Sequence, residues 1–304
     1  MSSAIRTEQL TKRFRRTEAL RGMDLDIPPG AIYALVGPNG AGKTTAIKVL
    51  MNIFPPSSGR AEVLGIDSQR LRGRAFTGIG YVSENQDLPL WMKVETFLAY
   101  VRSFYPRWDR DLESELVKQF DLPLNRKLHH LSRGMRMKAA LASALAYRPR
   151  LIVLDEPFSG LDALVRDELI GSMLECATES TVFVSSHDLA EIESFASHVG
   201  YLEEGRLRFS QEMTALAERF REVEFTLESA APLPATLPGT WLQPSVSGPV
   251  VRFVASSFDP ERTTAEIRQV FATVRNLTFT PMSLRSIFLA LAKAGRTMQA
   301  GGIS

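Results

Sequence analysis

The stretch GPNGAGKTT, residues 37–45, follows the apolar run AIYALV and precedes the helix-like segment KTTAIKVLMNIF. It fills the spacing G-x-x-x-x-G-K-[ST], at which a glycine-rich loop cradles phosphate groups. Glycine takes positive φ readily and lacks a Cβ, so the backbone N–H groups of such a loop turn toward an anion. Because the helix that follows adds the positive end of its dipole, the sequence predicts a phosphate-binding loop between a strand and a helix.

Each residue of this loop is a candidate nucleotide ligand. The set is Gly37, Pro38, Asn39, Gly40, Ala41, Gly42, Lys43, Thr44 and Thr45. Lys43 supplies a point charge for the terminal phosphates, and the Thr44 hydroxyl is a candidate Mg²⁺ ligand.

Length, composition and charge restrict the class of protein that this sequence can represent. The chain has 304 residues and is 44% hydrophobic, which suffices for one large domain and a smaller one. Its 36 basic and 34 acidic residues give a net charge of +2, so nothing in the charge balance indicates nucleic acid. The single cysteine, Cys176, excludes an internal disulfide and fits a reducing compartment. With no leader-like start and no run of about eighteen apolar residues, we expect a soluble, cytosolic chain.

The pattern of apolar residues divides the chain. Up to about residue 210, strand-like runs such as LIVLDEP, TVFVSSH and HVGYLEEGRLRF alternate with helical periods, which predicts an α/β fold with a mostly parallel sheet. Residues 88–148 have helical periods without strands and predict a helical insert. After about residue 215 the order becomes strand, strand, helix, strand, helix. We therefore predict a domain over 1–215 and a small α+β domain over 216–304.

Two carboxylates follow the apolar strand of LIVLDEP, at the sheet edge where open α/β proteins bind ligands. Asp155 is placed to hold the hydration shell of Mg²⁺, and Glu156 to orient and polarise an attacking water. Such a pair also serves as a helix cap in many proteins, but the phosphate loop favours the catalytic interpretation. His187 ends TVFVSSH, where an imidazole would reach a γ-phosphate, although a histidine at a strand end is often purely structural.

The segment LSRGM, residues 131–135, contains a serine and a glycine where a helix begins. Ser132 and Gly134 suit anion binding through backbone N–H groups and a hydroxyl. An ordinary helix cap uses the same residue types, so the segment alone leaves both interpretations open.

The order of these motifs resembles that of the nucleotide-binding ATPase subunit of ABC transporters, over about residues 3–210. The resemblance implies a P-loop NTPase core. It also implies that Phe14 stacks on adenine and that residues 37–45 cradle the phosphates, although Phe14 would equally pack in the core. Ser132 and Gly134 would belong to the signature segment that contacts nucleotide.

The resemblance also assigns the catalytic roles. Asp155 would hold Mg²⁺-bound water, Glu156 would be the general base, and Lys43 would bind the terminal phosphates. His187 would be the switch, and Asp162 in SGLD would couple the two subunits.

Two departures from the family pattern matter. The signature usually reads Leu-Ser-Gly-Gly-Gln, whereas this chain has Arg133 and Met135. The switch glutamine usually follows Tyr-x-Pro, but GYVSENQDLP places Glu84 there and Gln86 two residues later. A carboxylate near a γ-phosphate is repelled unless Mg²⁺ screens it, which makes Glu84 a candidate metal ligand. Glu84 and Gln86 both remain candidates for the switch.

The function implied by the resemblance is ATP hydrolysis with Mg²⁺, powering a separate transmembrane permease from the cytoplasmic face of the inner or plasma membrane. One motif set per chain implies a dimer with a second ATPase subunit, identical or different, in which each phosphate loop faces the other's Ser132. The segment MSLRSIFLALAKAG, residues 282–295, resembles the ending of ATPases from bacterial drug, antibiotic or lipid exporters, although its spacing also suits a core helix.

Two other functions are weighed against transport. Soluble ABC proteins of translation or DNA repair usually have two motif sets or a long coiled coil, and this sequence has neither. A nucleotide-gated regulatory protein with low turnover is favoured by Glu84 but disfavoured by Glu156 and His187.

Overall fold

The computed structural model describes residues 3–176, 180–230, 232–234, 236–271 and 273–291. The chain divides into two compact units, Met1–Ser210 and Gln211–Ser304.

The first unit contains both strands and helices. The strands are β1 (Ile5–Phe14), β2 (Thr17–Ile27), β3 (Ile32–Val36), β4 (Ser58–Val63), β5 (Ile66–Asp67), β6 (Ile79–Ser83), β7 (Leu151–Asp155), β8 (Thr181–Ser186), β9 (His198–Glu203) and β10 (Arg206–Glu212). The helices are α1 (Lys43–Leu50), α2 (Val94–Arg102), α3 (Arg110–Gln119), α4 (Arg133–Leu145), α5 (Ala163–Cys176) and α6 (Leu189–Ile192). Short 3-10 turns cover Ser68–Arg70, Gly73–Gly78 and Leu128–His130.

The central sheet has the strand order β10-β9-β3-β8-β7-β6, with parallel pairing from β9 through β3, β8 and β7 to β6. Every residue of β7 and β8 is buried, as expected for strands covered on both faces. The register pairs Val36 with Ser186, Ser185 with Asp155, and Asp155 with Ser83. The carboxyl ends of these strands therefore meet at one edge, and the predicted α/β fold is confirmed.

A second sheet, with the order β2-β1-β4-β5, is antiparallel and was not predicted from the sequence. Its longest strands lack regular alternation because their register shifts at several points, such as between Thr7 and Leu10. The apolar residues Ile5, Leu10, Leu20 and Ile27 nevertheless pack into the same core as α1.

Two elements of the first unit differ in extent from their predictions. The helix after the phosphate loop ends at Leu50 rather than Phe54, and Asn52 then takes a left-handed φ of 54°. The run HVGYLEEGRLRF forms two strands rather than one. Glu204 and Gly205, both at positive φ, make the turn between them.

The second unit is an antiparallel sheet with helices. Its elements are α7 (Met213–Arg219), β11 (Arg221–Leu227), β12 (Trp241–Ser247), β13 (Val250–Ala255), α8 (Pro260–Val270), β14 (Val274–Pro281) and a helical segment over 284–291. The strand order is β12-β13-β11-β14. Three strands rather than two precede α8, because the residues that follow the proline-rich stretch form β12. The part of the predicted 282–295 ending that follows residue 291 lies outside the described residues.

Within the described ranges, the helices lack the combination of length and apolar character that crossing a membrane requires.

Candidate functional site

The phosphate loop connects β3 to α1, as its sequence predicts. Gly42 is the N-cap of α1, with φ of 110°, and no side chain caps the helix. A Cβ at Gly42 would collide with the carbonyl of Ala19, and one at Gly37 with the carbonyl of Leu202. The glycines thus let the backbone pass close to its neighbours, and the first N–H groups of α1 lack a side-chain partner that would compete with an anion.

Lys43 lies inside the loop and is only 5% exposed. Its ammonium group donates to the carbonyl of Gly37 at 2.7 Å, and its Nζ lies 3.1 Å from Oε1 of Glu156. A buried ammonium is costly unless such partners compensate it. The loop therefore holds one positive charge where phosphate oxygens would enter.

Asp155 ends β7 and is 2% exposed. Its Oδ1 accepts hydrogen bonds from the Ser185 hydroxyl at 2.7 Å and from the Thr44 hydroxyl at 3.0 Å. Burial raises the pKa of Asp155, and the two hydroxyl hydrogen bonds oppose that shift. A cation bound nearby would compensate the buried carboxylate.

Thr44 and Asp155 present adjacent oxygen donors, which is the donor type that Mg²⁺ prefers. The described residues form no cluster of three or more His, Cys, Asp and Glu side chains that would hold a metal. Mg²⁺ usually binds through one or two protein oxygens, substrate phosphates and several waters. The residues at this edge fit that mode of binding.

Glu156 and His187 contact each other at the carboxyl edge of the central sheet, beside Asp155. Glu156 has a left-handed φ of 51°, which is uncommon outside glycine, and its N–H lies 3.0 Å from the Ser185 hydroxyl. Its Oε2 lies 2.7 Å from Nδ1 of His187. This hydrogen bond raises the pKa of His187, while partial burial opposes the shift. One carboxylate thus links Lys43 to His187.

These side chains open onto a cleft of about 750 Å³, which the loop from Asn39 to Thr45 lines together with Glu84, Glu156 and His187. The Glu84 N–H donates to the carbonyl of Asp155 at 2.9 Å. Among the described residues, Gln86 lines adjoining grooves and not this cleft. The structure therefore places Glu84 nearer the predicted phosphate position.

Ser132, Gly134 and Asp162 lie away from the cleft of their own chain. Ser132 is exposed and caps α4, its hydroxyl accepting from the Met135 N–H at 3.2 Å. Asp162 is exposed too and accepts from the Val165 N–H at 3.0 Å. Gly134 is buried, and a Cβ there would lie 2.9 Å from Val165 Cγ1.

Phe14 ends β1 and is 38% exposed. Its ring meets that of Phe54 edge-on, with centroids 5.3 Å apart, and Nζ of Lys12 lies 4.9 Å from its centroid. Phe14 is not among the described residues that line the cleft, whereas Glu18 and Arg21 of β2 line it. The adenine-stacking role of Phe14 stays a prediction.

Ser185 is the main contributor that sequence reasoning missed. It is fully buried and contacts both Asp155 and the backbone of Glu156. The signal was a hydroxyl residue at the end of a buried parallel strand, directly opposite a carboxylate in the adjacent strand.

Comparisons with known proteins identify the family of this chain. Residues 20–159 match the ABC transporter family. The Fe(3+) ions import ATP-binding protein FbpC of Mesorhizobium japonicum is 34% identical over 78% of this chain and 69% of its own length. The daunorubicin/doxorubicin resistance ATP-binding protein DrrA of Streptomyces peucetius is 29% identical over 95% of this chain and 92% of its own.

A solved structure of an ATP-binding subunit of an ABC transporter superposes with a TM-score of 0.65 at 25% identity, covering 70% of this chain and 92% of that one. The fold is therefore that of a P-loop ATPase. The chain belongs to the ABC transporter family, in which it is an ATP-binding subunit.

Proposed function

We propose that this chain hydrolyses Mg²⁺-bound ATP in the cleft beside residues 37–45 and thereby drives a separate transmembrane permease. The observation that supports this most directly is the contact of Glu156 with both Lys43 and His187, at 3.1 and 2.7 Å. The three groups that would bind phosphate, activate water and sense the γ-phosphate are thus already neighbours.

ATP binding would rest on the loop and the start of α1. The N–H groups of the loop and the helix dipole attract the phosphates, and Lys43 would exchange its contact with Glu156 for phosphate oxygens. Thr44 and Asp155 are the residues that would hold Mg²⁺, directly or through water. Mg²⁺, when bound, neutralises phosphate charge in the transition state.

Hydrolysis would use the groups that this exchange releases. Glu156, no longer paired with the ammonium, accepts a proton from the attacking water. His187 would keep the Glu156 carboxylate oriented and, because it lines the same cleft, would donate to the γ-phosphate. Its raised pKa favours the protonated form that such donation uses.

Assembly would complete the site. Ser132 is exposed at the positive end of α4, which suits contact with a phosphate on another molecule. We place Ser132 and Gly134 of one subunit opposite residues 37–45 of the other, in a homodimer or a heterodimer, with Asp162 at the junction.

Export is the transport direction that we favour. The drug-resistance relative aligns over 95% of this chain, whereas the iron-import relative aligns over 78%. The subunit would then lie on the cytoplasmic face of the membrane, held there by its permease. A neighbouring gene encoding about six hydrophobic spans would favour a transport subunit over a regulatory protein.

The alternative is a nucleotide-gated regulatory protein with low turnover. Glu84 at the cleft is the observation that favours it, since a third carboxylate near the phosphates opposes hydrolysis unless a cation compensates it.

The deciding experiment is Glu156→Gln. We expect ATP affinity to be retained and turnover to fall by about a hundredfold or more, the scale for removing a general base. Because unhydrolysed ATP would bridge two subunits, the variant should elute as a dimer in MgATP. Glu204→Gln, at another glutamate lining the cleft, is the matched control and should keep turnover. Unchanged turnover in Glu156→Gln, or a monomer in MgATP, would contradict the proposal.

A further inference from the structure

The two departures from the family pattern contact each other. Glu84 follows β6 and lines the cleft, whereas Arg133 is the first residue of α4. Nη2 of Arg133 forms an ion pair with Oε1 of Glu84. The residue that adds a negative charge at the cleft is thus bound by the residue that adds a positive one.

This pairing matters because the carboxylates of Glu84, Asp155 and Glu156 converge at the edge of the cleft. Ser83 of β6 is in register with Asp155, and the Glu84 N–H donates to the Asp155 carbonyl. Asp155 has two hydroxyl donors, and Glu156 has Lys43 and His187. Glu84 has Arg133 as its cationic partner. Glu156 and Glu84 are thereby each paired with a cationic side chain, whereas Asp155 has hydroxyl donors only.

The position of Arg133 is unfavourable for α4 itself. A cation in the first turn of a helix is repelled by the positive end of the dipole. Its guanidinium also lies over Gly160, where a Cβ would come within 2.8 Å of Nη1. Gly160 has φ of 67° in the loop before Asp162. The arginine is thus held between the cleft and the loop that precedes α5, where Glu84 offsets the dipole repulsion.

We propose that Arg133 is a positioning residue for nucleotide binding that acts through Glu84. Its ion pair holds the Glu84 carboxylate at the cleft edge and cancels its repulsion of the phosphates. The inference rests on the proposed function, since it takes the cleft to be the ATP site. The same ion pair connects the cleft to Arg133, which follows Ser132 in the chain.

The test is a double-mutant cycle measured as ATP affinity of the full chain, with Mg²⁺ and with EDTA. Arg133→Gln leaves Glu84 unpaired and should weaken ATP binding in EDTA by about tenfold, the scale of one like-charge contact near a surface. The loss should be smaller in Mg²⁺, because the cation screens the carboxylate. Glu84→Gln/Arg133→Gln should restore affinity to within about twofold of the wild type.

Two further variants separate positioning from stability. Arg133→Lys keeps the charge and should keep the affinity. Arg136→Gln removes an arginine from the same turn of α4, where it donates to the Leu131 carbonyl, and should leave affinity unchanged in both buffers. A purely structural role for Arg133 would give neither rescue by the second substitution nor a dependence on Mg²⁺.

The outcomes distinguish this inference from the proposed function. If the wild type binds ATP but Arg133→Gln binds it equally well, or if the double variant is as weak as Arg133→Gln, Arg133 does not act through Glu84. The proposed function would survive either result. If the wild type binds no ATP in either buffer, both are wrong.

Discussion

The two units of the chain bury different kinds of side chain. In the first, Lys43 and Asp155 are almost fully buried at the carboxyl edge of a parallel sheet. In the second, the core is aromatic, with Trp241 and Phe253 stacked at 3.9 Å and Phe225 beside them. Among the residues described, Thr263 is the only buried polar side chain of the second unit.

The charges buried in the first unit serve its chemistry, whereas the aromatic side chains buried in the second unit serve its stability. Buried charges cost folding free energy unless they are compensated, so their concentration at one edge indicates a site maintained for a ligand. Two ion pairs of the second unit, Arg252 with Glu224 and Arg275 with Glu228, are exposed on both sides. Exposed pairs contribute little, so aromatic packing is what stabilises that unit.

The largest expected effect tests whether the units are energetically independent. Phe253→Ala should lower the free energy of unfolding of the second unit by about 3–5 kcal/mol, because it deletes a buried ring. ATP affinity should not change. Urea unfolding followed by tryptophan fluorescence and nucleotide titration measure the two quantities, with Phe253→Leu as the milder control. A parallel loss of ATP affinity would show that the second unit supports the cleft.

A smaller effect tests which residue of YVSENQ belongs to the cleft. Glu84→Gln should change the Mg²⁺ concentration that gives half-maximal ATPase activity while leaving ATP affinity nearly intact, because Glu84 lines the cleft. Gln86→Ala should do little. ATPase rates against Mg²⁺ concentration decide between them. The reverse pattern would make Gln86 the switch, and negligible effects from both would remove this loop from the catalytic site.

The smallest effect is a pH dependence confined to the first unit. Contact with Glu156 raises the pKa of His187 above its ordinary 6.5, with Glu191 adding to the shift and Lys43 opposing it. A raised folded-state pKa contributes stability that is fully present below 6.5 and is lost as pH rises through the raised value. The difference in melting temperature between the wild type and His187→Gln should therefore shrink toward alkaline pH. A difference that grows instead would show that His187 is neutral when folded.

The parts of the chain also differ in how well their fold could be predicted from the sequence. The spacing of the loop residues and the strand-end positions of Asp155, Glu156 and His187 were readable because parallel strands bring their carboxyl ends together. The antiparallel sheet was not readable, since bulges break its alternation. The second unit was predicted to be α+β, but β12, which begins where a proline-rich stretch ends, was not recognised.

Contacts between distant residues explain the remaining differences at the site. Glu84 and Arg133 were singled out separately, yet their pairing depends on how α4 packs beside β6. Phe14 meets Phe54 through the packing of β1 near the end of α1. Ser185 contacts Asp155 through strand register. Such contacts arise from tertiary packing, which local sequence patterns do not specify.

The most direct test of the central claim, that the charges buried at the carboxyl edge of the parallel sheet exist to bind ATP, is calorimetry on Lys43→Ala. The substitution deletes the one ammonium group inside the phosphate loop, and we expect tight MgATP binding to be lost, by at least about a hundredfold. Lys138→Gln removes another buried lysine of the same unit, paired with Glu168, and should retain wild-type affinity. An unchanged MgATP dissociation constant in Lys43→Ala would contradict the assignment of residues 37–45.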